Sequence, residues 1–540
     1  MVLFIVFVGL LVLRPIYFII DRSTLNNGFT TAFTDPFIWQ AIGTTIVLTV
    51  GAVVLALVVG TALAWFSLRL PRGLGWMSAL PVMSILMPSV ASITGWIFLF
   101  SPRVGFANTV LRTLPWWSDQ TSGPIDVYTT PWIILCTGLQ IAAFVYLFMS
   151  SGFTGVNSDL IEAAEVAGSS KLGVFFRVTL PLVRPSLVYA TATAILLALG
   201  QFTAPLLLGR NSNIQVLTTR IFTYLNSSPV DFNAAAALGV PLVVIGMIIV
   251  FGQRALLGNQ SRFVTHGGKG FKAVGRPSWS GVVWIGAYAL LTAVLPLLAI
   301  IIVAVSPRWS ADIVPSTFTL EHFTSALNSP EILSSVKNSV LFSLTSILIV
   351  IPIGFLCSAI LVYGRRFKLC QIILDFVVAM PLGMPALIFG LGFLLAYSGP
   401  PINLYGTSSV VIAVYVTLMI PFSVRLQSAA MLSLGKQYIE ASQVAGANLW
   451  RTMLSVLLPL MRSAFGAAAA LIFLLLSHEF AASMLVRAPT TQVMGTTLYD
   501  LLEFGSYSAV AVLALIMAAV SLVGLGLAFL LGGRGALKGL

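Results

Sequence analysis

The sequence predicts an all-α polytopic membrane protein of about 12 transmembrane helices, arranged as two parallel six-helix repeats. Three observations carry this. Of 540 residues, 58% are hydrophobic and only 8% charged, with a mean hydropathy of +1.01; soluble domains carry roughly 25% charged residues. The apolar runs are long and continuous, as helices must be where lipid offers the backbone no hydrogen bonds, and they lack the alternation of porin strands. Finally, one polar stretch occurs twice, as "IEAAEVAGSSKLGVFFRVTLPLVRPS" (161–186) and "IEASQVAGANLWRTMLSVLLPLMRSA" (439–464).

Windows of about 19 residues place spans near 1–20, 38–68, 75–101, 130–152, 186–208 and 234–256, then 281–305, 333–363, 369–398, 407–430, 463–484 and 507–532. Several windows exceed one crossing, so those helices tilt or run beyond the bilayer. The opening "MVLFIVFVGLLVLRPIYFII" has no basic leader and no small-residue cleavage site, so it reads as a first span with its natural start clipped rather than a signal peptide. Cys136, Cys357 and Cys370 sit in or beside apolar segments without redox or zinc spacing and read as packing residues.

The first half is expected over 1–257 and the second over 281–540, joined by a basic, Gly-rich linker at 258–280. Nineteen Lys and Arg, among them Arg69, Arg72, Lys171, Arg177, Lys436 and Arg451, fall on the side that holds both termini, and eight fall on the other. The positive-inside rule then puts both termini and both polar stretches in the cytoplasm. The net charge of +12 reads as topology and contact with anionic lipid, with no nucleic-acid partner.

Glu162, Gly168, Pro181 and Arg184 map onto Glu440, Gly446, Pro459 and Arg462 at a shift of 278 residues, and Gln201-Phe202 falls on Glu479-Phe480 at the same shift. Met87-Pro88 matches Met384-Pro385 at a shift of 297. Six spans per half is an even number, so the repeats share one orientation. Each polar stretch is expected to form a short helix, a turn at Gly168 or Gly446, and a return helix broken by Pro181 or Pro459.

The pattern E-A-A, three residues, Gly, nine residues, aliphatic, x, Leu-Pro resembles the coupling loop of type-1 ABC importer permeases. Glu162, Ala163, Ala164, Gly168, Leu180 and Pro181 carry it in the first half, within a loop of about 158–185. Glu440, Ala441, Ser442, Gly446, Leu458 and Pro459 carry it in the second, within about 436–463, with Ser442 departing from the third Ala. The resemblance implies two fused domains of the type-1 permease fold in a bacterial inner membrane, two copies of an ABC ATPase subunit gripping the loops, and a periplasmic or lipid-anchored binding protein delivering substrate. It implies a transport subunit rather than an enzyme. No G-x-x-x-x-G-K-[ST] loop occurs, so ATP and Mg are expected on the partner ATPase, and no cofactor, catalytic residue or metal ligand on this chain.

Glu479, His478 and their counterpart Gln201 are candidates for lining the pathway, with a snorkelled cluster at the outer leaflet as the alternative. Asp375 is expected to pair structurally near the interface. Within the family, "GQFTAPLLLGRNSNIQVLTTRIF" and "SHEFAASMLVRAPTTQVMGTTLYDLLEFGSYSAVAVLAL" look most like ferric iron permeases, with thiamine, phosphonate and polyamine permeases as alternatives. The rival class is an ion-coupled secondary transporter built from two parallel repeats.

Overall fold

The computed structural model describes residues 2–118, 121–156, 158–257, 278–364, 368–435 and 437–532. The linker expected at 258–280 lies outside them except for its last three residues, and Arg365, Arg366 and Lys436 are also outside. In chain order the helices used below are α1 (Val2–Thr24), α2 (Ile38–Ser67), α3 (Ser89–Phe100), α4 (Thr130–Thr154), α5 (Ser158–Val166), α6 (Arg184–Leu199), α7 (Thr203–Gly209), α8 (Leu217–Asn226), α9 (Phe232–Leu257), α10 (Trp279–Ala289) and α11 (Leu295–Val305). They continue as α12 (Pro330–Tyr363), α13 (Lys368–Ala379), α14 (Ala386–Tyr397), α15 (Ser408–Leu434), α16 (Gln437–Val444), α17 (Arg462–Ser477), α18 (Ser483–Val486), α19 (Met494–Glu503) and α20 (Tyr507–Gly532). Among the described residues the only sheet is a two-strand hairpin, Ser398–Gly399 with Ile402–Asn403.

Eight helical segments are long and apolar enough to cross a membrane, and there are twelve if each of four sharply bent pairs counts as one span. The bent pairs repeat. Gly75–Leu86 meets α3 at 93° and Lys368–Gly383 meets α14 at 111°, with the breaks at Met87-Pro88 and Met384-Pro385. Proline forces the preceding residue out of the helical region, and Met87 and Met384 are both extended (ψ 121° and 131°).

The other two bends differ from expectation. Phe175–Leu182 meets α6 at 74° and Trp450–Leu460 meets α17 at 68°, so the chain turns at Val183 and Met461, two residues after the prolines named in the sequence. The cause lies upstream. A proline clashes with the carbonyl four residues before it and offers no N–H. Here a π turn at Phe175–Thr179 and another at Met453–Leu457 widen the helix where Pro181 and Pro459 would clash. A third π turn, Leu290–Val294, precedes Pro296 in the same way.

Packing divides the chain into two compact units: Met1–Phe29, Phe232–Val240 and His322–Leu540 form one, and Thr30–Asp231 with Pro241–Glu321 form the other. In the second of these, α2 lies along α4 at van der Waals range. A Cβ on Gly60 would sit 2.6 Å from the Ala142 carbonyl oxygen and the Val145 Cβ, the close backbone approach expected where lipid supplies no hydrophobic drive. Gly354 on α12 plays the same part against Ser423 on α15 in the other unit. There α1 packs on α14: Pro15 meets Gly392, and Arg14 donates to the Ala396 carbonyl (3.2 Å) with its guanidinium 4.7 Å from the Tyr397 ring centre. The free faces stay apolar; on α2, Val47, Val50, Val54 and Val58 are all more than half exposed.

Candidate functional site: the paired coupling loops

The two loops are built alike, atom for atom in their backbone. In α5 the last residues are Ala-rich helix formers, and the helix stops when Gly168 turns left-handed (φ 87°). The Ser169 N–H then donates to the Ala164 carbonyl (3.0 Å) and the Gly168 N–H to the Glu165 carbonyl (3.0 Å). In α16, Gly446 (φ 82°) is followed by Ala447 N–H to Ser442 O (3.0 Å), with Gly446 N–H to Gln443 O (2.9 Å). This reciprocal pattern satisfies the free carbonyls of a helix end and requires a residue that tolerates positive φ.

Glu162, Ala163, Glu440 and Ala441 are exposed, and so are Pro181 and Pro459. Leu180 is half-buried, while Leu458 is 42% exposed. Ala164 is half-buried against the deeply buried Val174. In the second loop those two positions are Ser442 and Thr452, whose hydroxyls hydrogen-bond at 2.7 Å. The departure at Ser442 is therefore matched by a second change ten residues on, and an apolar contact becomes a polar one with no hydroxyl left over.

One feature of the loops escaped the sequence reading. Val166 and Val444, again 278 residues apart, are each 90% exposed at the tip of their helix. The signal was available as an apolar residue kept in both copies at a position that a solitary surface helix has no reason to keep apolar.

The pathway candidates occupy the chain breaks that follow α6 and α17. Gln201 lies between α6 and α7; its carbonyl accepts from the Thr218 hydroxyl (2.6 Å), and it borders a small cavity with Thr45, Ile133, Thr137, Pro205 and Val216. Glu479 turns its carboxylate onto its own chain, where Oε1 accepts from Ala482 N–H (2.7 Å) and Oε2 from Ser483 N–H (2.9 Å) and the Ser483 hydroxyl (2.5 Å). It thus caps α18. His478 keeps Nε2 buried with no hydrogen-bond partner among the described residues.

Beyond each break, the later short helices α8 and α19 are anchored alike. The Thr219 hydroxyl accepts from Val216 N–H and Thr45 of α2 accepts from Leu217 N–H (both 2.9 Å). Thr496 accepts from Val493 N–H (3.1 Å) and Ser339 of α12 from Met494 N–H (2.8 Å).

Asp375 pairs with Arg425 of α15 at 3.1 Å, while Arg365 and Arg366, which precede it in sequence, lie outside the described residues. An ion pair more deeply enclosed than that one had no sequence signal at all. Asp35, before α2, takes Nε of Arg220 at 2.9 Å and the Tyr224 hydroxyl at 2.5 Å. Burial raises the Asp35 carboxyl, but the hydrogen bonds from Tyr224 and Arg220 outweigh it and hold the group below the ordinary aspartate value. No group of three or more His, Cys, Asp or Glu able to hold a metal occurs among the described residues.

The chain matches the family described as binding-protein-dependent transport system inner membrane component, over residues 1–305 and 350–534. It belongs to that family. The permease is 22% identical over 482 residues to a ferric transport system permease protein of Actinobacillus pleuropneumoniae, covering 87% of this chain and 68% of that one. It is also 29% identical over 233 residues to a sulfoquinovosyl glycerol transport system permease protein of Agrobacterium fabrum, covering 41% of this chain and 73% of the relative. A solved bacterial alginate ABC transporter shares 18% identity over 47% of this chain and 93% of its own, with a TM-score of 0.39. The protein is the permease component of a binding-protein-dependent ABC importer, an inner-membrane transport subunit.

Proposed function

We propose that this permease carries ferric iron inward, receiving it from an extracytoplasmic binding protein and driven by two copies of an ATPase that grip the loops around Gly168 and Gly446. ATP and Mg²⁺ belong to that partner. The observation carrying the ATPase reading is the pair of matched helices, each ended by a left-handed glycine and tipped by a valine 90% exposed to solvent. A single exposed apolar residue needs no explanation, but the same residue held at the matched tip of both polar loops points to a surface that covers it in each. Both loops and both termini are assigned to the cytoplasm, in line with the bias of Lys and Arg toward that side.

Iron is supported by the length of the match to the ferric permease, which runs across both halves. Ferric iron is a hard cation that prefers oxygen ligands, and the Glu479 oxygens are already engaged by Ala482 and Ser483. A conduit that leaves selection to the binding protein should hold its cargo weakly, so Gln201, His478 and Glu479 are proposed to shape the pathway through the breaks they occupy rather than to cage the ion.

The test is the double variant Val166→Asp, Val444→Asp, co-purified with the partner ATPase. The expected result is at least a tenfold loss, roughly, of bound ATPase at unchanged membrane insertion, as for truncation of an interface hot spot. Association at the wild-type level would refute the docking role.

A further inference from the structure

The first coupling loop meets its bundle in an aromatic cluster with one cation stacked on it. At the end of α2, the Trp65 ring lies 5.6 Å from Phe153 of α4 and 4.9 Å from Phe175 of the return helix, at 66° and 71°. The Arg69 guanidinium sits 4.3 Å from the centre of the Trp65 ring. The Arg69 carbonyl accepts from the N–H of Ser278 at 2.9 Å, where the chain enters α10. That entry is close-packed: a Cβ on Gly281 would lie 2.7 Å from the Phe66 carbonyl oxygen, and Phe66 stacks on Trp284 at 6.2 Å and 9°.

The second loop keeps none of these ring and charged side chains. The register is fixed by packing, since Gly60 against Val145 corresponds to Gly354 against Ser423. Trp65, Arg69, Phe153 and Phe175 then become Ala359, Tyr363, Met431 and Met453. What remains is one hydrogen bond, Tyr363 hydroxyl to Met431 carbonyl at 3.2 Å, and an aromatic pair, Phe355 with Phe465, one turn before Ala359 on α12. Methionine is a flexible filler where interlocked aromatic rings are stiff.

We infer that Arg69 is a positioning residue that stacks on Trp65, holds that ring against Phe153 and Phe175, and so locks the return helix of the first coupling loop to α2, so that the first loop transmits as a rigid lever and the second as a compliant one. The lever role rests on the ATPase-docking reading; the lock itself does not. Arg69 touches neither cargo nor nucleotide in this scheme and acts through Trp65.

Two measurements on the full chain test it. Hydrogen–deuterium exchange in detergent, comparing the wild type with Arg69→Ala, should show amides of 160–175 exchanging about tenfold faster while 438–453 stay unchanged. Tyr363→Phe should leave both segments unchanged. In vesicles holding the permease, its ATPase and its binding protein, Arg69→Ala should hydrolyse ATP within about twofold of wild type while uptake of ferric citrate falls about fivefold, and Arg69→Lys should recover part of the uptake. Unchanged exchange at 160–175 would overturn the proposal, as would hydrolysis and uptake falling in equal proportion. If the wild-type complex itself fails to couple ATP to uptake, the docking reading fails and the exchange comparison alone decides the lock.

Discussion

Replacing Gly168 and Gly446 separates what the backbone needs there from what a partner needs. A Cβ at either position would meet nothing within 4 Å in this chain, so the only internal cost of a side chain is the left-handed conformation, φ 87° and 82°. For alanine that cost is about 1–2 kcal/mol per site; for asparagine, which tolerates the region, it is a few tenths of a kcal/mol, roughly; for valine it is larger because of the β-branch. The loss falls on the helix end, where Ala167, Gly168 and Ser169 donate to Ala163, Glu165 and Ala164. Since about 1.4 kcal/mol is a factor of ten, amide exchange at residues 167–169 should be about tenfold faster in Gly168→Ala and near wild type in Gly168→Asn. Bound ATPase, measured by co-purification, should fall in the order Gly, Asn, Ala, Val. The reasoning is refuted if Asn abolishes association as thoroughly as Val while its exchange stays normal. The glycine would then serve the partner's close approach and not the turn.

Asp35→Asn should lower thermal stability in detergent by roughly 3 kcal/mol, because it leaves the Arg220 charge buried without its partner. Asp35 is held below its ordinary value in the folded chain, so its contribution is complete above the unfolded aspartate value and is lost as pH falls through the lower folded one. The wild type should therefore lose stability on acidification through that window, and Asp35→Asn should not; equal slopes would contradict this. Gly60→Ala places a methyl against the Ala142 carbonyl and Val145 and should cost about 1–3 kcal/mol, read as a lower unfolding temperature. Gly60→Ser should fare no better.

The spans and the repeat were legible because hydropathy and a 278-residue shift survive in the one-dimensional string. Which helix lies against which was not. Val47, Val50 and Val54 face outward while Leu48 and Ala52 face the bundle, and in a span both faces are apolar, so periodicity gives no direction. For the same reason nothing in the string announced that α1 would pack on α14. The loop helices and their glycine stops were predicted correctly from local rules, whereas the bends moved from Pro181 and Pro459 to Val183 and Met461 because π turns absorb the clash. Asp375 was read as a structural pair from the charges beside it in sequence; its partner Arg425 comes from another helix. Arg69 looked like one more topology-setting cation, since the rings of Phe153 and Phe175 that pack on the tryptophan beneath it are brought together only by the fold.

The central claim, that ATP hydrolysis on a partner drives this permease, is tested most directly in sealed vesicles. The purified chain alone, with ferric citrate outside and an imposed proton or sodium gradient, should show no uptake above protein-free vesicles. With the ATPase, the binding protein and ATP on the loop side, uptake should appear and should stop when ATP is replaced by a non-hydrolysable analogue. Uptake by the chain alone on an ion gradient would contradict the account and place the protein among ion-coupled secondary transporters.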